Sequence, residues 1–372
     1  MTAEISSLAL DYLGCTVAVT AAPAHLAWLQ EFLSPPFAAA PLGAATHRVR
    51  YTTDPDRYKT VLARGPAPGA KKLPCFAFDQ RDVTYPVWRG AGTETVLFDA
   101  EFRSFYVIGG ETADVEVVAH QDDHWPRVGL MRVVREIVMA HAEDSGALAM
   151  HGAAVGFGGG AAILVGPKRS GKTSLMFHAL LQAGTTLIAN DRVMLQGPEW
   201  RVTGMPTVIN VRRGTRTLFA SAFAPMGDDP TLASLSAAER TRRIAKAAER
   251  PDGALVLNPM QLCEATGTER VGTTALKAIV FPRVDTDRSG LFLQRLDPGA
   301  ARAQLPAALF QPASRLCISR GHDTTLPAVA DVAGVLAAAA DSVPCFECVL
   351  GEDAYDDGSR ARFLSQLLGP SA

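Results

Sequence analysis

The residues best placed to do chemistry are the run Gly166-Pro167-Lys168-Arg169-Ser170-Gly171-Lys172-Thr173. It fits the pattern glycine, four residues, Gly-Lys-Ser/Thr, and it lies between an apolar run, Ala161 to Val165, and a helical stretch, Gly171 to Ala183. Glycines let the backbone curl so that successive N–H groups point inward at phosphate oxygens, and the following helix adds the positive end of its dipole. Lys172 is then placed to reach the β- and γ-phosphates of ATP, and the Thr173 hydroxyl to ligate Mg²⁺. The loop from Gly166 to Thr173, with Ser174 after it, is the expected nucleotide-binding segment. Asp191 ends the next expected strand, nineteen residues after Lys172. A strand, a turn, a helix and a return strand bring that carboxylate back toward the same sheet edge, as a metal ligand alongside Thr173. His151, on the strand preceding the loop, completes an expected catalytic set of Asp191, His151 and Lys172.

The elements that must position these residues are legible from periodicity. Ala147 to Phe157 reads as a strand, Gly158 to Gly160 as a turn, and Thr185 to Ala189 as the return strand, with Gly184 as the cap of the helix before it. Val202–Val211, Ala275–Pro282, Gly290–Leu296 and Val343–Leu350 read as further strands, and Ala237–Arg250 and Ala328–Ala340 as helices. Before the loop, Thr16–Thr20, Arg48–Thr52, Thr95–Phe98 and Ser104–Ile108 read as strands, and Ala24–Leu33 and Arg127–Ala142 as amphipathic helices. Residues 1–145 thus make an α+β accessory domain without readable chemistry, with substrate recognition as its expected role. Residues 146–372 form the loop-bearing domain.

With 36 Lys+Arg against 38 Asp+Glu, a net charge of −2 argues against nucleic acid as a partner. Hydrophobic residues at 48% and charged residues at 20% are globular proportions. The first basic residue is Arg48, so no export signal is expected, and the apolar stretch from Gly146 to Gly166 is broken by three consecutive glycines. It reads as strands, not a membrane span, and a cytoplasmic location follows. The six cysteines are scattered, as in a reduced protein, and Cys345 and Cys348 read as strand residues despite their spacing. Arg212, Arg213 and Arg216 read as a solvated cluster, with an anion clamp as the alternative. The charged helix Ala237–Arg250 reads as a solvated face, and Asp122-Asp123-His124 as a loop.

Together, His151-Gly152, the loop, and Ala189-Asn190-Asp191-Arg192-Val193 resemble the kinase domain of the HPr kinase/phosphorylase family, whose pattern is HG, a phosphate loop and ADDRV in that order. Val202 to Val211 is similar to that family's RGxGIINV signature. The resemblance implies an α/β (α+β) fold shared with phosphoenolpyruvate carboxykinases, built on a mixed or mostly antiparallel sheet. It also implies ATP and Mg²⁺ as cofactors and a serine on a small protein or precursor peptide as acceptor, as in kinases of lasso-peptide precursors. The chain departs from the pattern at Asn190, where the family has an acid acting as general base; at Ser174, where it has Glu; at Thr203, where it has Arg; and over 214–258, an insertion. Asp191 is left as the sole acid of the signature, from which a one-way kinase is expected, with Asn190→Asp a route back to phosphorolysis. A nucleotide-binding scaffold and a small-molecule kinase remain as alternatives, and a homo-oligomer stays open.

Overall fold

The structure, a computed structural model, describes residues 5–66, 70, 72–74, 84–100, 102–109, 114–121, 126–223, 255–310 and 331–368. Two compact units divide the chain, residues 1–146 and residues 147–310 with 329–372. Each is a mixed α/β unit around a nine-stranded sheet with both parallel and antiparallel pairs. Among the described residues, no helix is long and apolar enough to cross a membrane.

In the first unit the strand order is β3-β1-β2-β4-β9-β8-β7-β6-β5, where β1 is Ser6–Tyr12, β2 Cys15–Ala21, β3 Ala38–Ala40, β4 His47–Thr52, β5 Lys72–Pro74, β6 Thr84–Arg89, β7 Thr95–Asp99, β8 Ser104–Ile108 and β9 Val115–Ala119. Leu13 and Gly14, both at positive φ, close β1 onto β2 as a two-residue hairpin. Helix α1 (Pro23–Leu33) buries Leu26, Leu29, Phe32 and Leu33, one stripe at helical spacing. Helix α2 is Pro55–Ala63. Helix α3 (Pro126–Asp144) lays Leu130, Val133, Val134, Ile137 and Val138 into the core against β2, β4 and β9. The fully buried Asp99 accepts hydrogen bonds from the Tyr85 and Tyr106 hydroxyls and pairs with Arg132 at 3.3 Å, so its charge is compensated within the core. Asp122, Asp123 and His124 lie outside the described residues.

The second unit begins with β10 (Leu148–Phe157) and β11 (Gly160–Val165), which form an antiparallel hairpin; α4 (Lys172–Leu180) follows the glycine-containing loop after β11. Next come β12 (Thr186–Ala189), β13 (Arg192–Gln196), β14 (Arg201–Met205), β15 (Ile209–Val211), α5 (Arg213–Leu218), α6 (Ala220–Phe223) and β16 (Leu255–Leu257). The remainder comprises α7 (Pro259–Thr266), β17 (Glu269–Arg270), β18 (Thr273–Val284), β19 (Leu291–Arg295), α8 (Pro298–Gln304), α9 (Val332–Ser342), β20 (Cys345–Leu350) and α10 (Asp357–Leu368). β11 is antiparallel to β10 on one side and parallel to β18 on the other, and β20 is parallel to β18 beyond it. The pairings β10–β13, β13–β14, β14–β18, β18–β11 and β11–β10 form a closed circuit of strands. One sheet face packs on α4, α6, α7 and α10 through Leu175, Phe177, Phe223, Leu262 and Phe363, the other on α8 and α9 through Ala301, Leu336 and Ala339.

Two expectations are corrected here. Helix α4 stops at Leu180, short of Ala183, and Gly184 with φ 79° serves the turn that follows instead of capping the helix. The run Val202–Val211 is two strands in separate sheets, because Pro206 has no N–H to continue the ladder. Cys345 and Cys348 are buried strand residues in the cores on opposite faces of the sheet, a placement that three-residue spacing on a strand dictates and that keeps them from sharing one metal. The expected helix over 237–250 and most of the 214–258 segment lie outside the described residues.

Candidate phosphate-binding site

The loop leaves the sheet at the carboxyl end of β11. Gly166 has φ 150° and Gly171, which precedes α4, has φ 100°, a conformation that favours glycine. A Cβ on Gly171 would stand 2.5 Å from Leu350 Cδ1, so a side chain there would have to displace the end of the Leu350 side chain on β20. Lys172 Nζ folds back over the loop and donates to the carbonyls of Gly166 (2.7 Å) and Pro167 (2.9 Å). Ser170 is buried with its Oγ unpartnered, and the Cβ that Gly166 lacks would lie 3.0 Å from that oxygen. Pro167, Lys168 and Arg169 form the exposed tip, and Thr173 is half-buried in the first turn of α4. The Ser174 hydroxyl turns toward the protein, sharing a hydrogen bond with Thr215 Oγ1 (3.0 Å) and another with Tyr355.

Asp191 reaches this edge by a register that the sequence does not display. β12 and β13 run against β10 as one interrupted strand, with Ala189 opposite Ala154 and Arg192 opposite His151. Asn190 and Asp191 form the interruption, where Gly152 N–H donates to the Asp191 carbonyl at 2.9 Å. Gly152 also faces Val165, the last residue before the loop, and a Cβ there would be 2.8 Å from Leu164 O. The glycine after His151 is therefore needed for close packing of β11 on β10. Because β12 and β11 are both antiparallel to the strand between them, their carboxyl ends, Asp191 and Gly166, share one edge.

His151 Nδ1 lies 3.4 Å from Asp191 Oδ1, and Arg192 Nε 3.8 Å from Asp191 Oδ2. Arg192 is buried, its guanidinium 4.0 Å over the Phe310 ring. Burial pulls the His151 pKa below its usual value against the opposing charge of Asp191, with Lys172 and Arg192 adding to the depression. Burial also lowers Lys172, again opposed by Asp191. His151, Lys172 and Asp191 are thus mutually coupled, and the imidazole is biased toward its neutral form.

Asn190 has a separate occupation: Oδ1 accepts from the Thr207 hydroxyl (3.1 Å) and Nδ2 donates to the Val208 carbonyl (3.3 Å). Sequence reasoning did not assign Arg192 or Thr207. Arg192 directly follows Asp191 in the signature, whereas Thr207 carried no signal beyond its neighbour Pro206.

The arrangement fits a nucleotide triphosphate with Mg²⁺. The positive-φ glycines free the loop of Cβ atoms, the buried Ser170 hydroxyl has no protein partner, and Thr173 and Asp191 offer one hydroxyl and one carboxylate. Mg²⁺ held through substrate phosphates asks for no more protein ligands than that. Among the described residues there is no cluster of three or more His, Cys, Asp or Glu that would make an all-protein metal cage. No protein-family model matches the chain, and no curated protein matches it at a significant level.

Proposed function

We propose that this chain is an ATP- and Mg²⁺-dependent kinase, a divergent member of the HPr kinase/phosphorylase type, that phosphorylates a serine hydroxyl of a small protein or precursor peptide. The observation that carries the reading is the convergence of Lys172, Asp191 and His151 on the edge where the phosphate loop leaves β11. Bound Mg²⁺ would neutralise charge on the phosphates, with Thr173 and Asp191 as its protein ligands. The loop amides and Lys172 orient the triphosphate, and Lys172 exchanges its two carbonyl partners for phosphate oxygens. The acceptor oxygen bonds to the γ-phosphorus as the bond to the β,γ-bridging oxygen breaks, and ADP leaves with that electron pair. The acceptor's proton passes to the His151–Asp191 pair; a proton on His151 Nδ1 facing the carboxylate leaves Nε2 as the accepting atom.

The test is calorimetry of Mg·ATP binding with wild type and Lys172→Ala, followed by mass spectrometry of candidate peptides after incubation with ATP. Lys172→Ala is expected to lose about tenfold or more in affinity, as a charge-assisted contact to phosphate would. Unchanged affinity removes the nucleotide-loop reading. Tight binding without transfer to any peptide leaves the nucleotide-binding scaffold.

A further inference from the structure

Two exposed arginines beside the loop helix have no part in phosphoryl transfer as derived above: Arg212 and Arg213, where β15 turns into α5. Among the described residues neither has a carboxylate partner. The acids at the neighbouring strand ends are already engaged, Asp285 with Arg283 and Arg288, Glu347 with Arg283, and Asp191 with His151 and Arg192. The hydrogen bond between Thr215 and Ser174 fastens α5 to the first turn of the loop helix, so Arg212 and Arg213 stand three and two residues along the chain from that contact.

We propose that Arg212 and Arg213 form a docking surface for an acidic stretch of the acceptor polypeptide, one with Asp or Glu beside the hydroxyl that receives the phosphate. The proposal rests on the kinase reading and names the acceptor's chemistry. Guanidinium groups recognise carboxylates with two parallel hydrogen bonds, and unpaired ones on the rim of a site steer an acidic partner toward it. A nucleic acid is the competing polyanion, and a chain of net charge −2 lacks the basic excess that backbone phosphates reward.

The experiment is fluorescence anisotropy of the full chain with Mg²⁺ and a non-hydrolysable ATP analogue. The probe is a labelled synthetic peptide with serine flanked by Asp and Glu, and its control carries Asn and Gln at the same positions. The acidic peptide is expected to bind about tenfold tighter or more, with affinity falling as KCl rises. Arg212→Glu with Arg213→Glu is expected to abolish that preference while calorimetric Mg·ATP affinity stays unchanged. Acid at the start of α5 suits the helix, and Arg212→Gln with Arg213→Gln, expected to weaken the preference in the same direction, checks that lost charge is the cause. Equal binding of the two peptides, or an unchanged preference in both double variants, overturns the proposal. Equal binding of a labelled single-stranded oligonucleotide also overturns it, in favour of a general polyanion surface. Absence of Mg·ATP binding by the wild type defeats the kinase reading instead, and is scored separately from the peptide result.

Discussion

His178 makes the second unit acid-sensitive by a calculable amount. It lies in α4, fully buried against the rings of Tyr355 and Phe219, and neither ring nitrogen has a hydrogen-bond partner. Burial pulls its pKa from 6.5 to about 4; the charge of Arg360 adds to the effect, and Asp356 and Asp357 oppose it. As pH falls the unfolded chain takes up the proton first, so the stability held by neutral His178 is intact above pH 6.5 and drains away toward pH 4. The difference between these two values corresponds to about 3 kcal/mol. His178→Met removes the proton site, and at pH 7 it is expected to be within about 1 kcal/mol of wild type or more stable, because two orphaned polar atoms leave the core. Urea unfolding between pH 7 and pH 4, read by hydrogen-exchange mass spectrometry of β11 and α4 peptides, isolates this unit. The wild type should lose about 3 kcal/mol more than the variant across that range. Mg·ATP affinity should fall on the same limb, since α4 carries Lys172 and Thr173. Acid limbs that run parallel within about 0.5 kcal/mol would refute the reasoning, because the burial penalty would then not exist.

Asp191→Asn preserves size and removes the charge; transfer rate is expected to drop by about a hundredfold or more with a smaller change in Mg·ATP affinity, and a wild-type rate would remove Asp191 from the reaction. Gly171→Ala places a Cβ 2.5 Å from Leu350 Cδ1 on a φ of 100°. A left-handed penalty of about 1–2 kcal/mol plus that clash should lower the melting temperature and nucleotide affinity together, and retained affinity would show that the loop is not the nucleotide cradle. The wild type incubated with phosphorylated product, Mg²⁺ and phosphate should release no pyrophosphate, and rapid release would contradict a one-way reaction. Contrary to the expectation from the sequence, Asn190→Asp should not restore it, because the Asn190 side chain is engaged with Val208 O and Thr207 and the variant loses the donor to Val208 O and about 1–2 kcal/mol of stability; a pyrophosphate burst from a normally stable variant would show that the amide's framing role is dispensable.

Much of the second unit was legible because its signals are local. The strand–glycine loop–helix run needs only the periodicity around residues 161–180, although Gly184, which reads as the helix cap, belongs to the turn beyond it. What was not legible depended on pairing between distant segments. Nothing in the sequence says that Thr186–Ala189 and Arg192–Gln196 are two parts of one line along β10, or that β14 returns to β18 and closes a circuit of strands. Pro206 did carry a readable signal against one long strand over 202–211, and apolar continuity concealed it. The burial of Arg192 over Phe310 was hidden for another reason: Leu309 bridges to Met150 and so brings the ring across from a segment more than a hundred residues away.

The adjacent Asn190 and Asp191 divide two tasks that a pair of acids would share. Asp191 has its carbonyl tied to Gly152 N–H, which holds its backbone beside β10 while the carboxylate lies between His151 and Arg192. The Asn190 side chain serves the segment between β14 and β15, accepting from Thr207 and donating to the Val208 carbonyl. Only an amide does both; a carboxylate accepts from Thr207 but has nothing to give Val208. Asn190 is thus a brace beside the one ionisable group of the pair. On the kinase reading this favours one direction. Removing a proton late, in a loose transition state, asks for one acceptor held beside a neutral imidazole. Reversal asks for a phosphate to be deprotonated and a departing serine to be protonated in the same turnover, which is two proton transfers at a site with one carboxylate.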